Sequence, residues 1–214
     1  MKKLNLKRNE TPGHLITFCG LDGCGKSTMI RRLQADLAGK HPLFLTKQPT
    51  DAVRRSPIFR TYIDTPHHDA FDYRSLSLLA ASDRVQHVNK QILPEMETGK
   101  TVLCDRYFYS CLANLCARGF QKDQWIYEIS SAIIRPDAAF FLDLPVETAV
   151  ARVRARPEEK ERYIDMDLQY RLREEYLEIC QQNGGILIST EKPEEICYDE
   201  IKKIVREVLG DDSL

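Results

Sequence analysis

The segment GLDGCGKST occupies residues 20–28, directly after the apolar run at 15–19, and a helical pattern begins near its end, at about Lys26. It matches the phosphate-binding pattern G-x-x-x-x-G-K-[ST]. Glycines allow successive backbone N–H groups to turn toward one anion, and the following helix adds the positive end of its dipole. The order strand, glycine-rich loop, helix therefore predicts a phosphate site. The alternative, a glycine-rich turn that binds nothing, does not require this order.

Each residue type in the segment has an expected role. Lys26 is expected to reach the β- and γ-phosphates of a nucleotide, and the Ser27 hydroxyl to bind Mg²⁺. Cys24 lies near the helix N-terminus and Lys26, an environment that lowers the pKa of a thiol, so it is either a reactive thiol or a loop filler. The residues expected to contact the nucleotide are Gly20, Gly23, Cys24, Gly25, Lys26, Ser27 and Thr28.

Composition limits the class of protein. Of the 214 residues, 43% are hydrophobic and 29% charged, which is typical of a soluble globular chain with a sizeable core. The formal net charge of −1 gives no global attraction for nucleic acid or a membrane, so neither partner is expected. The seven cysteines include no C-x-x-C pair, which indicates reduced thiols and a cytoplasmic location. Residues 1–13 are basic without an apolar core, so we expect a flexible lead-in rather than a signal or an anchor.

Apolar runs and helical periodicity alternate through the rest of the chain. Short strands are predicted at 15–19, 43–46, 101–104, 138–142 and 185–189. After the first helix, which carries apolar residues at 29–37, helices are predicted at about 52–63, 73–96, 110–117, 122–134, 146–155, 165–180 and 194–209. Because crossovers are right-handed, this order predicts an α/β fold in one domain, 14–214: a five-stranded parallel sheet with helices on both faces.

Polar residues follow two of the predicted strands at once. Lys47 and Gln48 follow the second strand, where ligands gather in open α/β sheets, although such residues can also be ordinary solvent contacts. Asp105 follows the third strand and is expected to hold Mg²⁺ opposite Ser27, with a helix cap as the alternative role. Arg106 brings a guanidinium suited to bidentate phosphate contact into the same cleft.

A charged, proline-bearing break separates the helices at 146–155 and 165–180. It contains PEEKE at 157–161, flanked by Arg152, Arg154, Arg156 and Arg162. Such charges form either a solvated surface or a lid that closes over a nucleotide and delivers cations to the transferring phosphoryl group. A mobile lid is therefore predicted at about 154–164.

Four segments together carry a family resemblance. They are GLDGCGKST, LLAASDRVQ at 78–86, DRYFYS at 105–110 and PDAAFFLDLPVETAVARVRAR at 136–156. In this order they resemble the thymidylate kinases, a family of P-loop nucleoside monophosphate kinases, over nearly the whole chain. The resemblance implies a P-loop kinase fold, phosphoryl transfer from ATP with Mg²⁺, and a homodimer formed through the long helices.

The resemblance also implies roles for single residues on the acceptor side. It places Asp22 near the sugar 3′-hydroxyl of the acceptor nucleotide, Arg84 at the edge of the base and Ser110 beside the base. Lys47 and Gln48 join them as expected acceptor contacts.

Further roles concern the group in transfer. The resemblance implies that Arg106 contacts the acceptor phosphate and the moving phosphoryl group, while Asp105 organises Mg²⁺. Relatives without an arginine in the phosphate loop supply one from the lid. This loop has Gly23 and Cys24 at that place, so the implied catalytic set is Lys26, Arg106, Arg156 and Arg162.

The chain departs from the family pattern on the acceptor side. Ala80 stands where relatives have an aromatic residue that stacks on thymine, and Asn114-Leu115-Cys116 replaces Tyr-Gln-Gly. Gln48 replaces an acidic residue. Loss of stacking is expected to relax base choice or weaken binding unless another aromatic residue compensates. The candidates for that are Phe71, Phe108 and Tyr109.

We therefore expect ATP-dependent phosphorylation of thymidine monophosphate. Three alternatives remain at this point. The same mechanism can act on another nucleoside monophosphate or phosphate acceptor, as Ala80 and Asn114 suggest. A GTPase-type switch would need an N-K-x-D motif, and the Asn89-Lys90 pair continues as Gln-Ile. A non-catalytic nucleotide-binding protein would not need the intact pair Lys26 and Arg106.

Overall fold

The computed structural model describes residues 2–64 and 72–211, without the side chains of residues 63 and 64. Phe71, one of the candidate stacking residues, lies outside the described residues. The sheet contains β1 (His14–Cys19), β2 (Leu43–Lys47), β3 (Thr101–Asp105), β4 (Ala138–Asp143) and β5 (Ile186–Ser189). All described pairings are parallel, in the order β2-β3-β1-β4-β5. The predicted α/β fold with five parallel strands is confirmed.

The helices alternate with the strands. They are α1 (Lys26–Leu37), α2 (Asp51–Arg54), α3 (Pro57–Asp64), α4 (Tyr73–His87), α5 (Leu93–Glu97), α6 (Phe108–Cys116), α7 (Trp125–Ser130), α8 (Val146–Arg154), α9 (Met166–Gln182) and α10 (Glu194–Leu209). Among them, α1 packs on β1 and β3, and α9 and α10 pack on β4 and β5. None of the described helices is long and apolar enough to cross a bilayer.

The central strand β1 lies between β3 and β4 and is buried on both faces. Leu15, Ile16 and Phe18 have no exposed surface, as expected for a short apolar run in a parallel sheet. Phe18 is in register with Asp105 on β3, and Asp105 is in register with Lys47 on β2. The register therefore brings the strand-end residues and the phosphate loop to one edge of the sheet.

The long helix predicted at 73–96 is divided. After α4, residues Val88–Ile92 form a π-helical segment, where the Leu93 N–H donates to the carbonyl of Val88. Pro94 has no N–H to continue the α-helical pattern, which accounts for the change of hydrogen-bonding register. The buried face contains Ala81, while Leu78 is 44% exposed. Apolar spacing in the sequence places Leu78 on the core stripe of this helix; that prediction is wrong, because the buried face runs through positions 77, 80, 81 and 84.

Two other helix predictions differ in length. The helix predicted at 52–63 is divided between α2 and α3 at Pro57, which cannot donate a helical hydrogen bond. The helix predicted at 122–134 is limited to α7, because the chain beyond it turns to pair Ile134 with Lys7 in a parallel bridge.

Residues 2–9 of the predicted lead-in make several contacts with the rest of the domain. Leu4 is 6% exposed, and its N–H donates to Asn183 Oδ1 at 2.8 Å. Lys2 Nζ lies 2.6 Å from Glu175 on α9, and the Lys7 N–H donates to the carbonyl of Ile133 at 2.8 Å. Among the basic residues of this segment, Lys2 therefore has ion-pair partners that are distant in the sequence.

Candidate active site

The phosphate loop connects β1 to α1 and needs glycine at two positions where the backbone φ is positive. Gly20 has φ +135° and Gly23 has φ +86°. A Cβ at position 20 would lie 2.4 Å from the carbonyl oxygen of Leu142, and one at position 23 would lie 2.2 Å from that of Ala149. The loop is therefore pressed against the end of β4 and against α8, and only glycine allows this approach.

Lys26, the first residue of α1, extends its side chain back along this loop. It is 6% exposed, and its Nζ donates to the carbonyls of Leu21 at 2.6 Å and Gly20 at 3.2 Å. Nζ also lies 3.6 Å from Cys24 Sγ. Cys24 is fully buried, which favours a packing role and argues against the accessible reactive thiol considered from the sequence.

Arg106 holds the strand ends and the loop together. It adopts φ +66°, a conformation that costs a non-glycine residue about 1 kcal/mol or more. Its N–H donates to the Phe18 carbonyl at 2.8 Å. Nη1 donates to the Gly20 carbonyl at 3.1 Å and to Tyr176 Oη at 2.9 Å, and Nη2 donates to Asp22. The turned backbone thus directs the guanidinium into the cleft beside the phosphate loop.

Asp22 is paired with cations from two sides. Besides Arg106, it accepts a hydrogen bond from Arg162 at 3.2 Å. Burial alone would raise the pKa of this carboxyl, but the charges of Arg106, Lys26 and Arg162 outweigh it and hold the pKa well below its usual range. Asp22 is therefore an anion at neutral pH, and it links the phosphate loop to the segment between α8 and α9.

Asp105 and Ser27 line the same small recess at the loop, about 100 Å³ in volume, together with Lys26 and Arg156. Asp105 Oδ2 lies 3.3 Å from Lys47 Nζ, and its buried Oδ1 has no hydrogen-bond partner among the described residues. The described residues hold no cluster of three or more His, Cys, Asp or Glu. One carboxylate and one hydroxyl suit Mg²⁺, which keeps water and phosphate oxygens as its other ligands.

The arginines in and beside the segment between α8 and α9 lie in different surroundings. It includes a short 3₁₀ turn, Pro157–Glu159. Arg156 lines the recess at the phosphate loop, whereas Arg162 lines the larger neighbouring cavity and pairs with Asp22. Arg152 donates to the Thr190 carbonyl at 3.4 Å, and Arg154 lines neither space.

The larger cavity, about 900 Å³, lies between the phosphate loop, α3, α4, α6, α9 and this segment. Arg84 lines it and is 4% exposed. Its Nη1 donates to the Ala80 carbonyl at 2.8 Å, and its buried Nε has no partner among the described residues. Ser110 lines the cavity as well and accepts a hydrogen bond from Tyr176 Oη at 3.0 Å. Arg84 and Ser110 therefore bring polar side chains to the wall of this cavity.

Gln48 also lines the cavity and is held by a residue that sequence reasoning did not single out. His87 Nδ1 lies 3.1 Å from Gln48 Nε2, and His87 Nε2 lies 2.7 Å from Thr46 Oγ1. Burial lowers the pKa of His87 and the charge of Arg84 adds to this, whereas Asp83 acts in the opposite direction. A neutral imidazole that accepts at Nδ1 and donates from Nε2 satisfies both contacts.

The aromatic residues at the cavity differ from those considered in the sequence. Phe108 and Tyr109 are at most 1% exposed and belong to the core rather than to the cavity wall. Tyr62 and Tyr73 line the cavity, with ring centroids 5.4 Å apart. Helical periodicity did not identify them, and it did not identify Tyr176, because it does not show which neighbour a helix face will meet.

Comparison with known proteins identifies the family of this chain. The family model described as thymidylate kinase matches residues 18–201. A probable thymidylate kinase of Pyrococcus horikoshii is 36% identical over 203 residues, covering 92% of this chain and 98% of that protein. A thymidylate kinase of a Geobacillus strain is 32% identical over 209 residues, covering 92% and 99%. One of Onion yellows phytoplasma is 32% identical over 203 residues, covering 91% and 97%. The chain belongs to the thymidylate kinase family.

Proposed function

We propose that this protein transfers the γ-phosphoryl group of ATP to the phosphate of thymidine monophosphate, giving ADP and thymidine diphosphate. The observation that carries the proposal is the continuity of the two spaces. Asp22, Lys47 and Arg106 line both the recess at the phosphate loop and the larger cavity. A donor phosphate in the recess and an acceptor phosphate in the cavity would therefore meet at the same three side chains.

On the donor side, the loop amides and Lys26 bind the β- and γ-phosphates, with Gly20, Gly23, Cys24, Gly25, Ser27 and Thr28 as neighbouring contacts. Ser27 and Asp105 would hold Mg²⁺, which supplies charge neutralisation between the phosphates when bound. The side chains align two phosphate groups and neutralise their charge. Phosphoryl transfer through a loose transition state depends mainly on these two effects.

Between the two sites, Arg106 binds the acceptor phosphate and contacts the phosphoryl group while the P–O bond to ADP breaks. Arg156, in the recess, and Arg162, paired with Asp22, add positive charge from the segment at about 154–164, which we propose acts as a mobile lid. An oxygen of the acceptor phosphate forms the new bond, so no strong base is needed.

On the acceptor side, Arg84 donates from Nε to a carbonyl oxygen of the base, and Ser110 lies beside it. Asp22 accepts from the sugar 3′-hydroxyl, and Lys47 and Gln48 complete the wall. A second candidate, the same transfer to another nucleoside monophosphate, is favoured by Ala80, which leaves the cavity without an aromatic residue at that position.

The test is ADP formation from ATP and Mg²⁺ against a panel of nucleoside monophosphates, with Lys26→Ala as the control for contaminating kinases. We expect the highest kcat/KM with thymidine monophosphate. Turnover with another acceptor alone would establish the second candidate. ATP binding without turnover on any acceptor would contradict the kinase proposal and indicate a binding role.

We further propose a cytoplasmic homodimer without nucleic-acid or membrane partners. All seven cysteines are free and buried, which suits a reducing compartment. Leu78 is 44% exposed on α4, so this helix offers an apolar side chain to a second copy. Sedimentation should give the dimer mass, and Leu78→Glu should give the monomer. An unchanged mass for the variant would exclude this surface.

A further inference from the structure

One face of α4 lines the cavity, and the small side chain of Ala80 leaves a gap in that face. Tyr73, Ser77, Ala80 and Arg84 all border the cavity, at spacings of four, three and four residues. At ~1.5 Å per residue, Tyr73 lies about 10 Å along the helix from Ala80. The methyl group of Ala80 therefore leaves room between the unpaired Arg84 Nε and the aromatic ring of Tyr73.

The far end of this room is closed by a fixed guanidinium. Arg118 lies over the Tyr73 ring, with Cζ 4.1 Å from the centroid. Its Nε donates to Tyr62 Oη at 2.8 Å, and its Nη1 donates to the carbonyl and to Oδ1 of Asn114, both at 3.0 Å. Groups on α3, α4 and α6 thus hold one planar cation at the cavity wall.

The contacts of Arg118 with other described residues include no ion pair. None of its described hydrogen bonds goes to a carboxylate, and the described acidic residues that line the cavity come from the phosphate loop and from the segment between α8 and α9. A half-buried guanidinium on an aromatic ring is a stacking surface for a further planar group, and it favours groups that accept hydrogen bonds. Asn114, one of the departures from the family pattern, is among the residues that position it.

We propose that the acceptor cavity also takes nucleoside monophosphates whose base carries a carbonyl group and is larger than thymine. The carbonyl oxygen accepts from Arg84 Nε, the additional planar part fills the space beside Ala80, and it stacks on the cluster Tyr62–Tyr73–Arg118. A uracil extended at C5 and a 6-oxopurine share this chemistry. A base that presents only an amino group to Arg84 places a donor against a donor and is rejected.

This inference rests on the proposed phosphoryl transfer and concerns the acceptor only. Its test compares kcat/KM for thymidine monophosphate, 5-propynyl-deoxyuridine monophosphate, deoxyguanosine monophosphate and deoxycytidine monophosphate. We expect kcat/KM for at least one of the two larger carbonyl-bearing acceptors to lie within about tenfold of the value for thymidine monophosphate. Comparing these two acceptors shows whether the cavity fits a C5-extended uracil or a 6-oxopurine. Failure of both larger acceptors while thymidine monophosphate is used would overturn the inference and leave the proposed function intact.

Two variants test the geometry. Ala80→Phe fills the space, and loss of one stacked group corresponds to a fall of about 5- to 150-fold in kcat/KM for the larger acceptor relative to that for thymidine monophosphate. Ala80→Leu serves if the phenylalanine variant does not fold. Arg118→Ala should lower kcat/KM for the larger acceptor selectively. The matched control is Arg74→Ala, since Arg74 lies 4.6 Å over the Phe120 ring but does not line the cavity.

Equal losses for all acceptors in Ala80→Phe or Arg118→Ala would indicate a purely structural cluster and would overturn the inference. If no acceptor is turned over, calorimetric binding of 5-propynyl-deoxyuridine monophosphate still tests it. Binding that Ala80→Phe weakens supports the subsite without catalysis, and binding that the variant does not change excludes it.

Discussion

Replacing Arg156 and Arg162 one at a time with alanine should give very different losses of the phosphoryl-transfer rate. Arg156 lines the recess that contains Lys26, Ser27 and Asp105, so its charge lies where the donor phosphates are proposed to bind. Arg162 instead pairs with Asp22 at 3.2 Å. We expect Arg156→Ala to lower the rate of transfer far more than Arg162→Ala.

The expected magnitudes follow from these surroundings. An arginine that neutralises the transferring phosphoryl group is worth ~10³–10⁵ in rate. The side chains of Arg162 and Asp22 are 35% and 42% exposed, and an ion pair of this kind contributes about 0.2–1 kcal/mol. That energy corresponds to at most about fivefold in rate. The two variants should therefore differ by a factor of about 100 or more.

Single-turnover rapid quench with ATP, Mg²⁺ and thymidine monophosphate measures the transfer step directly. The matched control is Arg154→Ala, because Arg154 lies in the same segment but lines neither space. Arg156→Lys keeps the charge and should recover part of the rate. Equal losses for the alanine variants of Arg156 and Arg162, or a loss for Arg156→Ala no larger than that of the Arg154 control, would refute the assignment.

Three further predictions concern stability and the donor side. Gly23→Ala should abolish binding of an ATP analogue in calorimetry, because its Cβ would lie 2.2 Å from a backbone carbonyl oxygen at φ +86°; binding like that of the native protein would mean that the loop can relax. The lowered pKa of His87 means that below about pH 6.5 the unfolded chain binds a proton that the folded chain does not. The free energy of unfolding should therefore decrease as the pH is lowered below that value, by at most about 1.4 kcal/mol per pH unit. Urea unfolding of His87→Gln should lack this pH dependence. An equal pH dependence in the variant would mean that other groups cause it. Deleting residues 2–8 exposes the site of Leu4 and should cost about 2 kcal/mol or more, measured by thermal unfolding; an unchanged Tm would show that this docking is not stabilising.

The fold was predictable because its signals are local. The five strands are short apolar runs bounded by turn residues or charges, and each was predicted to within about a residue of its observed ends. The errors occur where distant contacts decide the structure. Ile134 leaves a helical pattern to pair with Lys7, and Leu78 lies one position away from the face of α4 that meets the cavity.

The candidate site likewise contains residues that the sequence indicates and residues that only the packing reveals. The phosphate loop and the pair Asp105 and Arg106 lie at strand ends, so sequence order alone indicates that the sheet brings them together. Tyr176 and Arg118 come from helical and loop segments whose orientation depends on packing against other helices. No motif identifies either residue, and their roles emerge only from contacts with Arg106 and with Tyr73.

The residues proposed to transfer the phosphoryl group and the residues proposed to select the acceptor therefore lie on different parts of the fold. The donor phosphates would be held by a glycine-rich loop in which Gly20 and Gly23 tolerate no Cβ, so the transfer machinery has little freedom to vary. The acceptor cavity is lined by side chains of several helices, and there a change such as Ala80 alters the space without disturbing the loop. Membership of the thymidylate kinase family therefore constrains the reaction more tightly than the base. For that reason the substrate panel, rather than ATP turnover alone, is the decisive measurement for this chain.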